Sequence, residues 1–231
     1  MTDYSKKDFF IKPSKKGVND FEDLISSDYQ INISNWIHSG WDIFKKDVGA
    51  FIAFAVIGGI CYVLINFMPL AGLLVMYPFI AGFIIVSLML FRNQTTEFKN
   101  FLWGFRHFIP LLVFTIVSTV FILIGLFLLI VPGIYLSIAY LFAPYIIVEK
   151  NIDFWPAMEI SRKKVNKHFF GIFGFAVVIL FINAVGCLPL FLGLLITVPL
   201  TTCMVTAAYK DIFTVNNQTG EEVIASIESA K

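Results

Sequence analysis

Three long stretches of the sequence, residues 48–90, 108–148 and 169–209, contain no Lys, Arg, Asp or Glu. Every formal charge lies before, between or after them. The hydrocarbon core of a bilayer is about 30 Å thick, and about 20 apolar residues of helix cross it. Each stretch is therefore long enough to cross a membrane and return, which predicts an all-α protein with six transmembrane helices arranged as three hairpins.

The composition supports a polytopic membrane protein. Hydrophobic residues make up 58% of the chain, charged residues 14%, and the mean hydropathy is +0.82. Soluble domains are about 45–50% apolar, and a soluble fold of this size has too small a core to bury the excess. The net charge of +1 provides no basic surface for nucleic acid, which we exclude as a partner.

The first and third stretches resemble each other. Gly-Leu-Leu-Val-Met-Tyr-Pro at 72–78 returns as Gly-Leu-Leu-Ile-Thr-Val-Pro at 193–199, which indicates an internal repeat. Each predicted hairpin has a proline just past its midpoint: Pro78, Pro132 and Pro199. Because proline suits the first turn of a helix, we expect these prolines near the starts of the returning helices.

A shorter aromatic and charged segment precedes each hairpin. Segments 34–47, 96–107 and 153–168 place apolar residues at helical spacing, which predicts amphipathic helices at the membrane interface, and they contain all four tryptophans. They lead into hairpins at about 48–91, 108–148 and 169–210. The membrane domain then covers 33–213, between tails at 1–32 and 214–231.

The charged loops predict the orientation. Segment 92–107 has three basic residues against one acidic, and segment 149–168 has five against three, whereas the opposite turns carry no charge. The positive-inside rule places these loops and both termini in the cytoplasm.

The sequence lacks the usual signs of an enzyme. It contains no phosphate-binding loop, nucleophile elbow or zinc-protease motif. Three histidines lie in or beside the predicted interfacial helices without a convergent set of ligands. We therefore expect no catalysis, metal or cofactor.

Charged residues around the fourth span are the first candidates for a functional role. Glu149 ends that span beside Lys150, where it forms either a positioning ion pair or a functional site. The next amphipathic helix carries a basic cluster that we expect to contact anionic lipid headgroups, at about 1 kcal/mol per residue. This cluster consists of Arg162, Lys163, Lys164 and Lys167.

Two residues within the spans are further candidates. Asn183 either hydrogen-bonds between helices or lines a polar path. Pro144 removes one backbone hydrogen bond and is expected to kink the fourth span, for packing or for gating.

The middle third carries a recognisable pattern: a Pro-Gly-Ile helix start at 132–134, Ala-Pro at 143–144, Val-Glu at 148–149, and Ala157 with Ser161 on the following helix. This pattern resembles bacterial six-span membrane proteins of the YciC and DUF975 families, and the membrane domain of some glycerophosphoryl diester phosphodiesterases. The resemblance implies a multi-pass protein of the bacterial inner membrane from a family of largely uncharacterised function. The phosphodiesterase catalytic domain has no counterpart in the sequence.

Two functions remain open at this point. One is a non-catalytic membrane component that interacts with lipids or with other membrane proteins. The other is a transporter or exporter of a small or amphipathic molecule, with a cavity among the three hairpins that touches Asn183, Thr197 or Ser118.

Overall fold

A computed structural model describes residues 22–65, 71–189 and 191–213. Within these ranges the chain is helical and contains no β-strand. The predicted tail at 214–231 lies outside the described residues. A 3₁₀ helix spans Phe98–His107, and the α-helices are α1 Glu22–Ser26, α2 Ile33–Lys45, α3 Val48–Ile65, α4 Ala71–Phe91, α5 Phe108–Leu128, α6 Ile130–Ala139, α7 Ala143–Lys150, α8 Phe154–Lys167, α9 Phe169–Cys187 and α10 Leu194–Phe213.

Three helical segments in the described chain are long and apolar enough to cross a membrane: Phe98–Leu128, Ile130–Lys150 and Phe169–Cys187. Two further apolar segments are shorter, Val48–Cys61 and Phe79–Phe91. The fold is thus all-helical and compatible with a membrane protein. The sequence predicts six spans, and three are found by length and composition.

The first predicted interfacial helix, α2, packs along α10. The indole N–H of Trp36 donates to Asp211 Oδ2 at 2.7 Å. Further along α2, a Cβ atom on Gly40 would lie 2.5 Å from Met204 Cα, so the two backbones are in close contact. Because 36 pairs with 211 and 40 with 204, the helices run antiparallel. Trp36 is fully buried.

The other two pre-hairpin segments also pack against helices. The 3₁₀ helix runs along α4, where the Phe101 carbonyl covers Gly82. In α8, Asn166 Oδ1 accepts a 2.8 Å hydrogen bond from the Tyr135 hydroxyl of α6. Each of the three predicted interfacial segments therefore lies beside a helix from the second half of a charge-free stretch: α10, α4 or α6.

The bounds of two sets of helices are related by the spacing of the predicted repeat. Moved forward by the 121 residues that separate Gly72 from Gly193, the bounds of α2, α3 and α4 become 154–166, 169–186 and 192–212. The observed bounds of α8, α9 and α10 lie within two residues of these positions.

The prolines behave differently from one another. Pro132 is the third residue of α6, as predicted for the start of a returning helix. Pro78 and Pro199 lie inside α4 and α10, so the prediction is wrong for them. Both returning helices begin before the proline, closer to the preceding turn.

Phenylalanine fills the core between α3, α4 and the 3₁₀ helix. Phe51, Phe54, Phe83 and Phe101 are buried, and the Phe54 and Phe101 ring centroids are 4.5 Å apart. Phe51 and Phe101 meet edge to face at 5.6 Å, a favoured geometry for aromatic pairs. The heavy use of Phe in the sequence therefore has a packing role here.

Candidate functional site

Helices α4, α7 and α10 converge. The hydroxyl oxygens of Ser87 in α4 and Thr206 in α10 lie 2.6 Å apart and are buried. In α7, the Tyr145 hydroxyl donates to the Thr202 carbonyl of α10 at 3.1 Å. These contacts bring together the helix ends that face the charged loops.

Glu149 is the carboxylate at the centre of this junction and is 6% exposed. Its Oε1 atom forms ion pairs with Arg92, at the end of α4, and with Lys210 of α10. Its Oε2 atom accepts a 2.5 Å hydrogen bond from the Tyr209 hydroxyl and lies 3.8 Å from Lys150 Nζ. One side chain thus links three helices.

Asparagines in left-handed backbone conformations end two of these helices. Asn93, one residue after Arg92, has φ 54°, and Asn151, two residues after Glu149, has φ 50°. Asparagine adopts this conformation more readily than most residues because its short side chain can bond locally. The chain therefore turns directly after Arg92 and Lys150, which leaves both side chains at the junction.

Both carboxylate oxygens of Glu149 are engaged by hydrogen bonds and ion pairs. Burying a carboxylate is costly, and the cost is offset only where several donors satisfy it. General acid–base catalysis needs the group within hydrogen-bond reach of a substrate. Because four side chains hold the two carboxylate oxygens of Glu149, this geometry favours a role in attaching the helices to one another over a role in proton transfer.

Glu149 was predicted from the sequence as a candidate, whereas its partners Arg92, Tyr209 and Lys210 were not. A signal was available. Arg92, Glu149 and Lys210 are the first ionisable acidic or basic residues after the three charge-free stretches. If the three stretches form equivalent hairpins, these residues reach the same membrane boundary and lie near one another.

Pro144 lies directly after a break in the predicted fourth span. α6 ends at Ala139, a turn covers 140–142, and Pro144 is in the first turn of α7. A proline ring clashes with the carbonyl four residues earlier, so a continuous helix through Tyr140 is disfavoured. The break exposes the Ala139 carbonyl, which accepts a 2.7 Å hydrogen bond from the buried Ser161 hydroxyl of α8.

The basic cluster of α8 separates into two pairs. Arg162 forms hydrogen bonds with Glu159 at 2.8–3.0 Å, and Lys163 Nζ lies 3.6 Å from the same carboxylate. The Glu159 carboxylate has a lowered pKa, chiefly through its hydrogen bonds with Arg162. In this pair Lys163 is exposed and Arg162 is partly exposed.

Lys164 and Lys167 hold the chain that precedes α2. Lys164 is fully buried, and its Nζ donates to the Ser27 carbonyl at 2.8 Å and the Ser27 hydroxyl at 2.6 Å. Lys167 Nζ donates to the Ser26 and Ser27 carbonyls at 2.5 and 3.1 Å. Burial, and next the charge of Lys167, lower the pKa of Lys164 to about 8.

Two neighbouring residues complete this contact. The Tyr29 hydroxyl donates to the Lys164 carbonyl at 3.1 Å, and burial raises the pKa of this phenol. Asp28 Oδ1 lies 2.8 Å from His168 Nε2, a hydrogen bond that lowers the Asp28 pKa. Residues 26–29 are therefore docked on the C-terminal end of α8.

Asn183 joins α9 to α10. Its Nδ2 atom donates to the Ile179 carbonyl at 3.0 Å and to Thr201 Oγ1 at 3.2 Å. Within the described part of the chain, its buried Oδ1 atom has no hydrogen-bond partner. The observed bond to Thr201 fits a role as an interhelical link.

A cavity of about 230 Å³ lies between α3, α4 and α10, and Glu149 does not line it. Its described lining is apolar apart from Thr202 and does not include Asn183, Thr197 or Ser118. The residues lining it are Ala55, Gly58, Gly59, Phe79, Ile80, Phe83, Leu194, Leu195, Val198 and Thr202. It therefore differs in position from the cavity that the transporter hypothesis predicts at Asn183, Thr197 or Ser118.

Within residues 22–65, 71–189 and 191–213, no group of three His, Cys, Asp or Glu side chains lies close enough to hold a metal ion.

The chain matches no protein-family profile, and comparison with curated proteins and with solved structures gives no match.

Proposed function

We propose that this protein is a non-catalytic, six-span component of a bacterial inner membrane that interacts with lipids. Its charged loops and both termini face the cytoplasm in this proposal. The three hairpins would be copies of one unit related by an axis near the membrane normal, because all three enter the membrane from the same side.

One observation carries the proposal: the outward side chains of the long apolar helices are themselves apolar. On α9 the exposed side chains include Phe170, Val177, Leu180 and Phe181. Soluble monomers rarely expose apolar patches larger than a few hundred Å². A lipid environment removes this exposure without requiring a partner for each helix.

The junction at Glu149 supports a structural role for the face with the charged loops. A carboxylate held by Arg92, Lys210 and Tyr209 attaches three helix ends to one another. The partly exposed Arg162 and the exposed Lys163 of α8 would then meet anionic headgroups beside a firmly attached helix.

Lipid dependence of stability tests the proposal. The purified full chain is incorporated into phosphatidylcholine nanodiscs with increasing phosphatidylglycerol, and its melting temperature is recorded. We expect the anionic lipid to raise the melting temperature, and the double variant Arg162→Gln/Lys163→Gln to show less of this increase. A matched double variant, Lys45→Gln/Lys99→Gln, controls for loss of two exposed charges. A melting temperature that does not change with the fraction of phosphatidylglycerol would contradict the lipid interaction.

Transport of an amphipathic molecule is the second candidate, and the cavity between α3, α4 and α10 favours it. Against it, the described lining carries no charged side chain. Dye-loaded proteoliposomes separate the two functions. Release of an amphipathic dye above that of dye-loaded liposomes without the protein would support transport. Release equal to that of these control liposomes would support the non-catalytic membrane component.

A further inference from the structure

The cavity between α3, α4 and α10 is built from small residues that face large ones. Ala55, Gly58 and Gly59 supply one wall from α3, and Leu194, Leu195 and Val198 supply another from α10. A Cβ atom on Gly59 would have Leu195 Cδ2 as its nearest neighbour, at 3.8 Å. A side chain at position 59 would therefore already be in van der Waals contact with α10 at its Cβ atom, and the absence of one contributes to the cavity.

Water is a poor occupant of this space. A buried water usually makes about three hydrogen bonds to polar groups. Thr202 is the polar residue of the described lining, and its hydroxyl already donates to the Val198 carbonyl at 2.9 Å. A polar solute would lose its hydration with equally few hydrogen bonds in return.

The cavity is continuous with the outer apolar surface. Val198 lines the cavity and is 38% exposed. Ile57 and Ile60 on α3 and Ile196 on α10 are also exposed. In a bilayer this mouth opens onto lipid hydrocarbon. An apolar cavity of about 150 Å³ is large enough to bind benzene, so 230 Å³ accommodates a longer hydrocarbon segment.

We propose that this cavity is a binding site for one lipid acyl chain, which enters laterally between α3 and α10. The inference rests on the proposed membrane location and adds the part of the lipid that is bound and the residues that bind it. Gly59 is the specificity-determining position, because any side chain there occupies the space of the acyl chain.

Photocrosslinking in vesicles tests this site. The full chain is reconstituted in phosphatidylcholine vesicles that contain phosphatidylcholine with a diazirine in mid-chain, irradiated, digested and mapped by mass spectrometry. We expect crosslinks on the cavity walls at a higher yield per residue than on the outward face of α9. Gly59→Leu should reduce the cavity crosslinks at least fivefold, and Gly59→Ala should reduce them less.

Gly49→Leu is the matched control, since it is in the same helix and a Cβ atom at Gly49 meets nothing within 4 Å. It should leave the cavity crosslinks unchanged. Cavity yields no higher than those on α9, or yields unaffected by both Gly59 variants, would overturn the acyl-chain site alone. Failure of the chain to float with the vesicles, with no crosslinks anywhere, would overturn the proposed membrane location itself.

Discussion

α9 and α10 are consecutive helices from one charge-free stretch, yet they lie in opposite surroundings. Only 17% of the α9 window that could span a membrane is buried inside the protein. α10 is buried almost continuously from Pro199 to Tyr209. α9 is the more hydrophobic of the two helices, and it is also the more exposed one.

Side-chain size and polarity account for the difference. α10 presents Thr206, Ala207 and Ala208, and its neighbours approach its backbone closely, as Gly40 does at Met204. α9 presents Phe and Leu side chains outward. Helix association in lipid depends on close packing and hydrogen bonds, because lipid tails are as apolar as leucine. Between these two helices, the one with small and weakly polar residues is buried and the one with bulky apolar residues is exposed.

The largest effect is expected where a buried charge attaches α10. Glu149→Gln leaves Arg92 and Lys210 without their carboxylate, and breaking a buried ion pair costs about 3–5 kcal/mol of unfolding free energy. Glu159→Gln is the control, because its ion pairs are more exposed and should contribute about 0–1 kcal/mol. Denaturant titration in detergent measures both. Equal losses in the two variants would contradict the central position of Glu149.

A smaller effect is expected at the close contact between α2 and α10. Gly40→Ala places a methyl group 2.5 Å from Met204 Cα, and overpacking of this kind costs about 1–3 kcal/mol. The matched change on α9 is Gly174→Ala, whose Cβ would lie 3.7 Å from Ile33 Cδ1, an ordinary contact. That variant should be neutral or slightly stabilised by the helix propensity of alanine. Similar losses of unfolding free energy for the two variants would show that α9 is packed as closely against its neighbours as α10 is against α2.

The hydrogen bond between α4 and α10 is expected to contribute less. Thr206→Val removes the hydroxyl that meets Ser87, and interhelical hydrogen bonds in membranes contribute about 0.6 kcal/mol on average. Thr202→Val removes a hydroxyl that bonds within its own helix, to Val198. Thermal melting of both variants should show a larger decrease in melting temperature for Thr206→Val than for Thr202→Val. The reverse order would show that the bond between Ser87 and Thr206 does not stabilise the protein.

The smallest effect is expected on the outward face of α9. Leu180 is 70% exposed. In a bilayer, lipid replaces the atoms removed by Leu180→Ala, so unfolding free energy should change by less than about 0.5 kcal/mol. A loss above 2 kcal/mol, measured in nanodiscs, would indicate that Leu180 lies in a protein contact.

The starts of the first helix in each charge-free stretch were predictable, because each apolar helix begins where the charged residues end. α3, α5 and α9 start at Val48, Phe108 and Phe169, the first residues of the three charge-free stretches. The all-helical class follows from the same stretches. By contrast, the periodicity of segment 96–107 suggested an α-helix, and a 3₁₀ helix is observed over Phe98–His107.

Long-range contacts set the limits of prediction for the candidate site. Trp36 and Lys164 are residue types typical of a membrane interface, yet both are fully buried. Their partners, Asp211 and Ser27, are more than 130 residues away in the sequence. No local pattern identifies such pairs. Glu149 was singled out from the sequence, whereas its place at a junction of three helices depends on how α4, α7 and α10 pack together.

The side of the membrane on which each charged loop lies tests the central claim most directly. Single cysteines replace Lys99 and Lys163 in a chain without its three native cysteines, and a third variant carries Leu129→Cys in the turn between α5 and α6. Each is exposed to a membrane-impermeant maleimide in intact spheroplasts and in inverted vesicles. We predict labelling of the Lys99 and Lys163 positions in inverted vesicles alone, and of the Leu129 position in neither preparation or in spheroplasts. Labelling of positions 99 and 163 from opposite sides would contradict three hairpins that enter from one face.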